Sequence, residues 1–140
     1  MPIATYPALL FTVALLVTTA YFLMGGLPLL ILKHDTPLDS RFIRGFFNVY
    51  FVGAMVTAAG TSVSYAFLGR PAFAVGGAAM AIGAAGLRRY VLPRMDQLRA
   101  QIVAGDEPAV IRFRRIHIAL LLSNLAQLAL VVWALTTLKL

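Results

Sequence analysis

The 140 residues contain no cysteine, which excludes disulfides, thiolate metal sites and cysteine nucleophiles. Charge is also scarce. Only 12% of the residues are charged and 61% are hydrophobic, against about 25% charged in a soluble domain, so an ordinary soluble fold is excluded. Histidine occurs twice and tryptophan once. Within the long apolar stretches Asp, Glu, Lys and Arg are missing altogether. A charge at membrane depth is costly and usually functional, so its absence argues against a proton relay, an ion pump or a path for charged substrates through the core.

What the chain does have is apolar length. A membrane-spanning helix needs about 20 apolar residues, and the sequence predicts four of them in a single all-α domain, residues 1–140, with helices at about 6–33, 41–68, 71–104 and 108–138. The first segment has neither the basic start nor the small-residue cleavage site of a secretory signal, and is read as retained. "GGLP" (25–28) predicts a kink near its end. Asp39 or Ser40 is expected to cap the second helix. "GRP" (69–71) predicts a tight turn, with Pro71 in the first turn of the third helix. Val91, Met95, Leu98 and Ile102 recur at helical spacing among polar residues, so the third helix should leave the membrane, pass Pro93 as a candidate kink, and turn back at Gly105 and Asp106.

Charge distribution gives an expected orientation. Ten of the twelve basic residues (Lys33, Arg41, Arg44, Arg88, Arg89, Arg94, Arg99, Arg112, Arg114 and Arg115) fall on one side with all five acidic residues; Arg70 and Lys139 lie opposite. The positive-inside rule puts the hairpin of the third and fourth helices in the cytoplasm and both termini outside. Ten Arg against two Lys points to a GC-rich bacterial genome, and so to a bacterial inner membrane.

Membrane helices pack through small residues. Gly53, Thr57, Gly60 and Ser64 of the second helix, and Ala72, Gly76, Ala79, Gly83 and Gly86 of the third, form heptad-like stripes. They are expected to make a helix–helix seam, or on the same stripe a homodimer contact. "FIRGFFNVYF" (42–51) is expected to be an interfacial aromatic belt. Its functional alternative is one wall of a pocket for a flat apolar ligand, with Asn48 and Tyr50 as polar handles.

The remaining polar groups give the site candidates. His117, Asn124 and Gln127 share one face of the fourth helix. Asn124 and Gln127 are expected to be interhelical amides, with Thr18, Thr19 and Tyr21 as candidate partners. His117 is placed at the membrane edge beside Arg114 and Arg115. Its plain reading is a hydrogen bond to a backbone carbonyl, and its functional reading is a ligand-binding imidazole. With His34 and Asp35 it forms a candidate metal set, which requires the first and fourth helices to be adjacent. Arg88, Arg89, Arg94 and Arg114 with His117 form a candidate anion pocket, and juxtamembrane arginines attract anionic lipid. Nucleic acid is not an expected partner, because the charge lies against the membrane and stacking motifs are missing.

"YVLPRMDQLRAQIVAGDEPAVIRFRRIHIALLLSNL" (90–125) and "MGGLPLLI" (24–31) resemble a widespread bacterial membrane family of unknown function related to the eukaryotic transmembrane protein 205. The matching positions are Pro93, Arg94, Met95, Leu98, Arg99, Asp106, Glu107, Arg112, Phe113, His117 and Asn124. The resemblance implies a four-helix membrane domain and no particular activity. More remotely, the layout is similar to the copper-resistance D proteins, the haem-dependent membrane protoporphyrinogen oxidases and the membrane anthrone oxygenases. The leading expectation is a non-enzymatic accessory subunit, or a binder of lipid or a small amphipathic ligand, with no cofactor. Its expected partners are the bilayer, anionic lipid on the cytoplasmic side, and a second copy or a larger membrane complex. The alternatives are a membrane oxidoreductase, oxygenase or metal-binding protein with a metal or haem at His34 and His117, and a small oligomeric transporter.

Overall fold

A computed structural model describes residues 3–137; Leu138 and Lys139, which the sequence reading also used, lie outside the described residues. Four α-helices, α1 (Thr5–Gly26), α2 (Pro37–Phe67), α3 (Pro71–Val103) and α4 (Glu107–Thr137), make an all-α bundle. Each is long and apolar enough to cross a membrane, and the chain is an integral membrane protein. α2 packs against both α1 and α3, and α4 closes the ring against α1 and α3. One end carries the start of α1, the end of α4 and the α2–α3 turn (the termini end). The other carries the α1–α2 connection and the α3–α4 turn (the hairpin end).

Local chemistry sets each boundary. Pro28 has no N–H to continue α1, and the chain tightens into a 3-10 turn at Pro28–Ile31 before going extended at Leu32. α2 starts earlier than expected. Its cap is Thr36, whose Oγ1 accepts from the Asp39 N–H at 3.1 Å, with Pro37 at the first helical position. Asp39 and Ser40 therefore lie inside the first turn and do not cap it.

α2 and α3 end alike. Gly69 and Gly105 adopt positive φ (66° and 85°). The next residue's N–H then reaches back to the carbonyl five before it, Arg70 to Tyr65 and Asp106 to Gln101, both at 3.0 Å. Only glycine takes this left-handed step without strain, which is how the sequence closes both turns. α3 runs helical through Pro93.

The main core fills the hairpin end. Ile43, Phe47, Tyr50, Phe51 and Ala54 of α2 meet Leu92, Met95, Leu98 and Ile102 of α3 and Ala109, Phe113, Leu120 and Leu121 of α4. This corrects the aromatic-belt expectation. Of the "FIRGFFNVYF" rings, Phe47, Tyr50 and Phe51 are buried and only Phe42 is exposed, because their spacing turns them toward the bundle axis. At the termini end the clustered core is smaller, Leu15, Ala58 and Val131, with Ala8 and Tyr65 also buried.

The α3 seam also needs correcting. Gly53 and Gly60 of α2 face α1, against Thr18 and the Phe11 ring, whereas Gly76, Gly83 and Gly86 of α3 face open space. The residue that lets α3 approach α2 is Gly77, where a Cβ would sit 2.8 Å from the Ser62 backbone nitrogen and 3.0 Å from the Ala58 carbonyl oxygen. Ser62 Oγ donates to the Ala74 carbonyl across the same contact, at 2.7 Å. The packed face of α3 is thus one residue away from the small-residue stripe.

Candidate functional site

The polar residues sort into a clasp, a groove and a cleft. The clasp joins α1 to α4 at the hairpin end. Where α1 gives way to the 3-10 turn, Leu30 N–H bonds the Leu27 carbonyl, which leaves the Gly26 carbonyl without its helical donor. His117 supplies one, its Nε2 lying 3.2 Å from Gly26 O. Gly26 permits the approach, since a Cβ there would stand 2.5 Å from Leu121 Cδ2. With its proton on Nε2, His117 offers its Nδ1 lone pair to His34 Nε2–H at 2.8 Å. That pairing assigns both tautomers. The Arg114 guanidinium caps the next free carbonyl, Leu30 O, at 3.0 Å. Asn124, with its amide oriented to match its neighbours, donates to Thr19 O at 3.0 Å and accepts from Leu23 N at 3.2 Å. His117 to Asn124 and Gly26 to Thr19 are each seven residues apart, so these side chains fix one antiparallel register.

Both imidazoles are fully buried. Phe47 stands edge-on to His117 with centroids 5.3 Å apart, and Phe113 lies 6.1 Å from His34. His117 is therefore enclosed within the bundle, near its hairpin end. His34 holds a positive φ of 65°, a conformation uncommon outside glycine, although His is among the residues that visit it. Burial holds the His34 imidazole below its ordinary value, and the Arg114 guanidinium pushes the same way. Three of the four ring nitrogens are engaged with one another or with Gly26. His34 Nδ1, buried and without a partner, keeps a free lone pair. Asp35 is exposed, and among the described residues no three His, Cys, Asp or Glu side chains are grouped as a metal would require. The expected His34–Asp35–His117 set is not assembled, because Asp35 points to the surface.

The anion set is divided as well. Arg88 and Arg89 line an open groove of about 770 Å³ between α2 and α3, with Arg44, Asn48, Asp96 and Gln97. Arg44 there makes a two-pronged pair with Asp96, at 3.0 and 2.9 Å, and Arg88 Nε donates to Asn48 Oδ1 at 3.1 Å. Arg94 is exposed elsewhere on α3, Arg114 is spent on Leu30, and His117 is interior. The five residues do not converge because α4 turns Arg114 and His117 toward α1, away from α3.

The cleft lies between α3 and α4 at the termini end. It has a volume of about 670 Å³, and among the described residues its lining contains no Asp, Glu, Lys, Arg or His. One wall is the exposed stripe Ala72, Gly76, Ala79 and Gly83; opposite stand Leu130, Trp133, Ala134 and Thr137 of α4. It exists because α3 leans onto α2 through Gly77, and its small residues are too short to reach α4. Tyr65 stacks on Phe73 at 5.1 Å and shares a hydrogen bond with Thr12 at 3.3 Å. Toward mid-bundle, Tyr50 OH donates to Gln127 Oε1, which turns the Gln127 amide nitrogen the other way. Gln127 lines the cleft and its two N–H donors have no protein partner among the described residues. Sequence reasoning picked out Gln127 and Tyr50 but missed Thr12, Phe73, Gly77 and Trp133. The signal for the cleft was the stripe of Ala72, Gly76, Ala79 and Gly83, taken as a seam.

No family model, curated protein or solved structure matches the chain.

Proposed function

We propose that this protein binds a small amphipathic, lipid-like molecule that enters the α3/α4 cleft sideways from the bilayer, and that it performs no chemistry on it. The observation that carries the reading is the Gln127 amide, whose two donors have no partner among the described residues, in the lining of a predominantly apolar cleft. Ligand pockets combine such apolar walls with a few oriented polar groups. The setting that goes with this reading is a bacterial inner membrane, with the Arg-rich hairpin end cytoplasmic and both termini periplasmic, in the family related to transmembrane protein 205. Anionic lipid at Arg88 and Arg89 would seat that end. The aromatic core plugs the hairpin end, which favours binding over passage through one bundle.

The test is to purify the protein in mild detergent and identify co-purifying small molecules by mass spectrometry. Gly76→Leu and Gly83→Leu project side chains into open space, so they should leave the fold intact and lose the bound molecule. Equal amounts on the parent and both variants would overturn the reading.

A second reading, a metal-binding protein or membrane oxidoreductase, keeps one supporting observation: His34 and His117 do meet. A metal between them must displace the shared proton and leave His34 Nδ1 or a backbone carbonyl to rearrange. Metal content and the visible spectrum, compared with His117→Ala, test it directly.

A further inference from the structure

We propose that the molecule held in the cleft is a neutral carbonyl-bearing ring with an apolar tail, of the prenylated quinone class. This rests on the ligand-binding reading of the cleft and narrows it in three steps. Among the described residues the lining offers no Asp, Glu, Lys, Arg or His, so an ionised headgroup would enter a low-dielectric site without a counter-charge from them, a heavy cost. The ligand's polar part is therefore uncharged. Next, Tyr50 OH occupies Gln127 Oε1, so the amide offers donors, and the ligand must supply an acceptor such as a ring carbonyl. Last, the walls select a flat shape. Gly76 and Gly83 have no Cβ and nothing within 4 Å of where one would be, so a ring can lie directly on the α3 backbone. Trp133 and Phe73, the latter backed by the buried Tyr65, offer aromatic surface to it. An apolar tail leaves through the gap between α3 and α4 into lipid.

Trp133 is the chain's one tryptophan and lines the cleft, so its fluorescence reports occupancy. Decylubiquinone added to the protein in detergent micelles should quench Trp133 saturably. N-acetyltryptophanamide in the same micelles gives the collisional baseline. Gly76→Leu should abolish the saturable component while leaving the melting temperature unchanged. Gln127→Met should weaken binding about fivefold, the equivalent of one hydrogen bond of about 1 kcal/mol. Quenching that rises linearly and identically in Gly76→Leu overturns the proposal. A brominated diacylglycerol separates the two levels of inference. If it quenches saturably where the quinone does not, the cleft is a lipid site and only the ring assignment fails. If neither binds and Gly76→Cys cross-links in pairs under oxidation, a second copy covers the stripe and both readings fall. The parent chain has no cysteine, so such a cross-link is unambiguous.

Discussion

The two ends of this bundle are made from the same four helices and differ in how space is filled between them. At the hairpin end, Ile43, Phe47, Phe51, Met95, Leu98 and Phe113 are buried together, and the Gly26 and Leu30 carbonyls after α1 each have a side chain from α4 upon them. At the termini end the stripe that α3 turns toward α4 is mostly alanine and glycine, with Phe73 and Met80 beside it, and the helices part. In water such a gap would expose apolar surface and tend to collapse. In a bilayer, lipid is as apolar as the side chains it replaces, so little drives closure. Tight packing and polar clasps must therefore be written into a membrane bundle where rigidity is needed, and leaving them out is enough to open a lateral site.

The largest expected loss comes from breaking the closed end. His117→Leu orphans both the Gly26 carbonyl and the His34 N–H inside the core, and each unsatisfied buried group costs about 1–3 kcal/mol. Thermal unfolding in detergent should fall well below the parent, and residues 27–36 should become accessible to protease. Unchanged melting would mean that the imidazole pair is not a clasp. Next comes a contrast of neighbours on α3. Gly77→Ala forces a methyl against the Ser62 backbone, an overpacking worth about 1–3 kcal/mol, whereas Gly76→Ala points into the cleft and should melt like the parent. Equal melting temperatures would erase the distinction between packed and open faces of α3. Smaller again, Asn124→Leu removes one interhelical amide contact, and membrane hydrogen bonds of this kind average about 0.6 kcal/mol. It should lower the melting temperature only slightly and leave the Trp133 signal unchanged.

The fold was legible where chain chemistry is local. Apolar length gave four helices, and Gly69 and Gly105 gave both turns, because each depends on a local property of the chain. At Pro28 the expectation is only a kink in a helix reaching about residue 33, whereas α1 stops at Gly26 and a 3-10 turn follows. The clasp was half legible. The spacing of His117 and Asn124 put them on one face, but that face meets α1 carbonyls freed by the 3-10 turn, and nothing in the sequence shows which carbonyl a helix end will free. The stripe of Ala72, Gly76, Ala79 and Gly83 misled for a reason of geometry. Small residues permit close approach without compelling it, and the adjacent Gly77 is the one that α2 uses. Tyr50 and Gln127 are far apart in sequence, so their bond, which aims the amide into the cleft, had no sequence signal at all.

The smallest effect divides the two ends by pH. His34 faces Asp39 at the start of α2 and Arg114 and His117 on α4, and burial together with Arg114 holds its imidazole below the ordinary value. The folded protein then binds fewer protons at this residue than the unfolded chain does over the interval just under about pH 6.5, the unperturbed imidazole value. Stability is fully present above that value and declines as pH falls through the interval toward the folded value. Melting in detergent should therefore drop on acidification from pH 7.5 to 5. His34→Gln, which keeps an N–H for His117 and removes the titration, should flatten part of that slope. Among the described residues the cleft lining has no Asp, Glu or His to titrate between pH 5 and 7.5, so Trp133 fluorescence of the folded protein should stay constant over the same range. A Trp133 signal that tracks the melting change would mean that protonation at the hairpin end is felt in the cleft, and the two ends would no longer be independent.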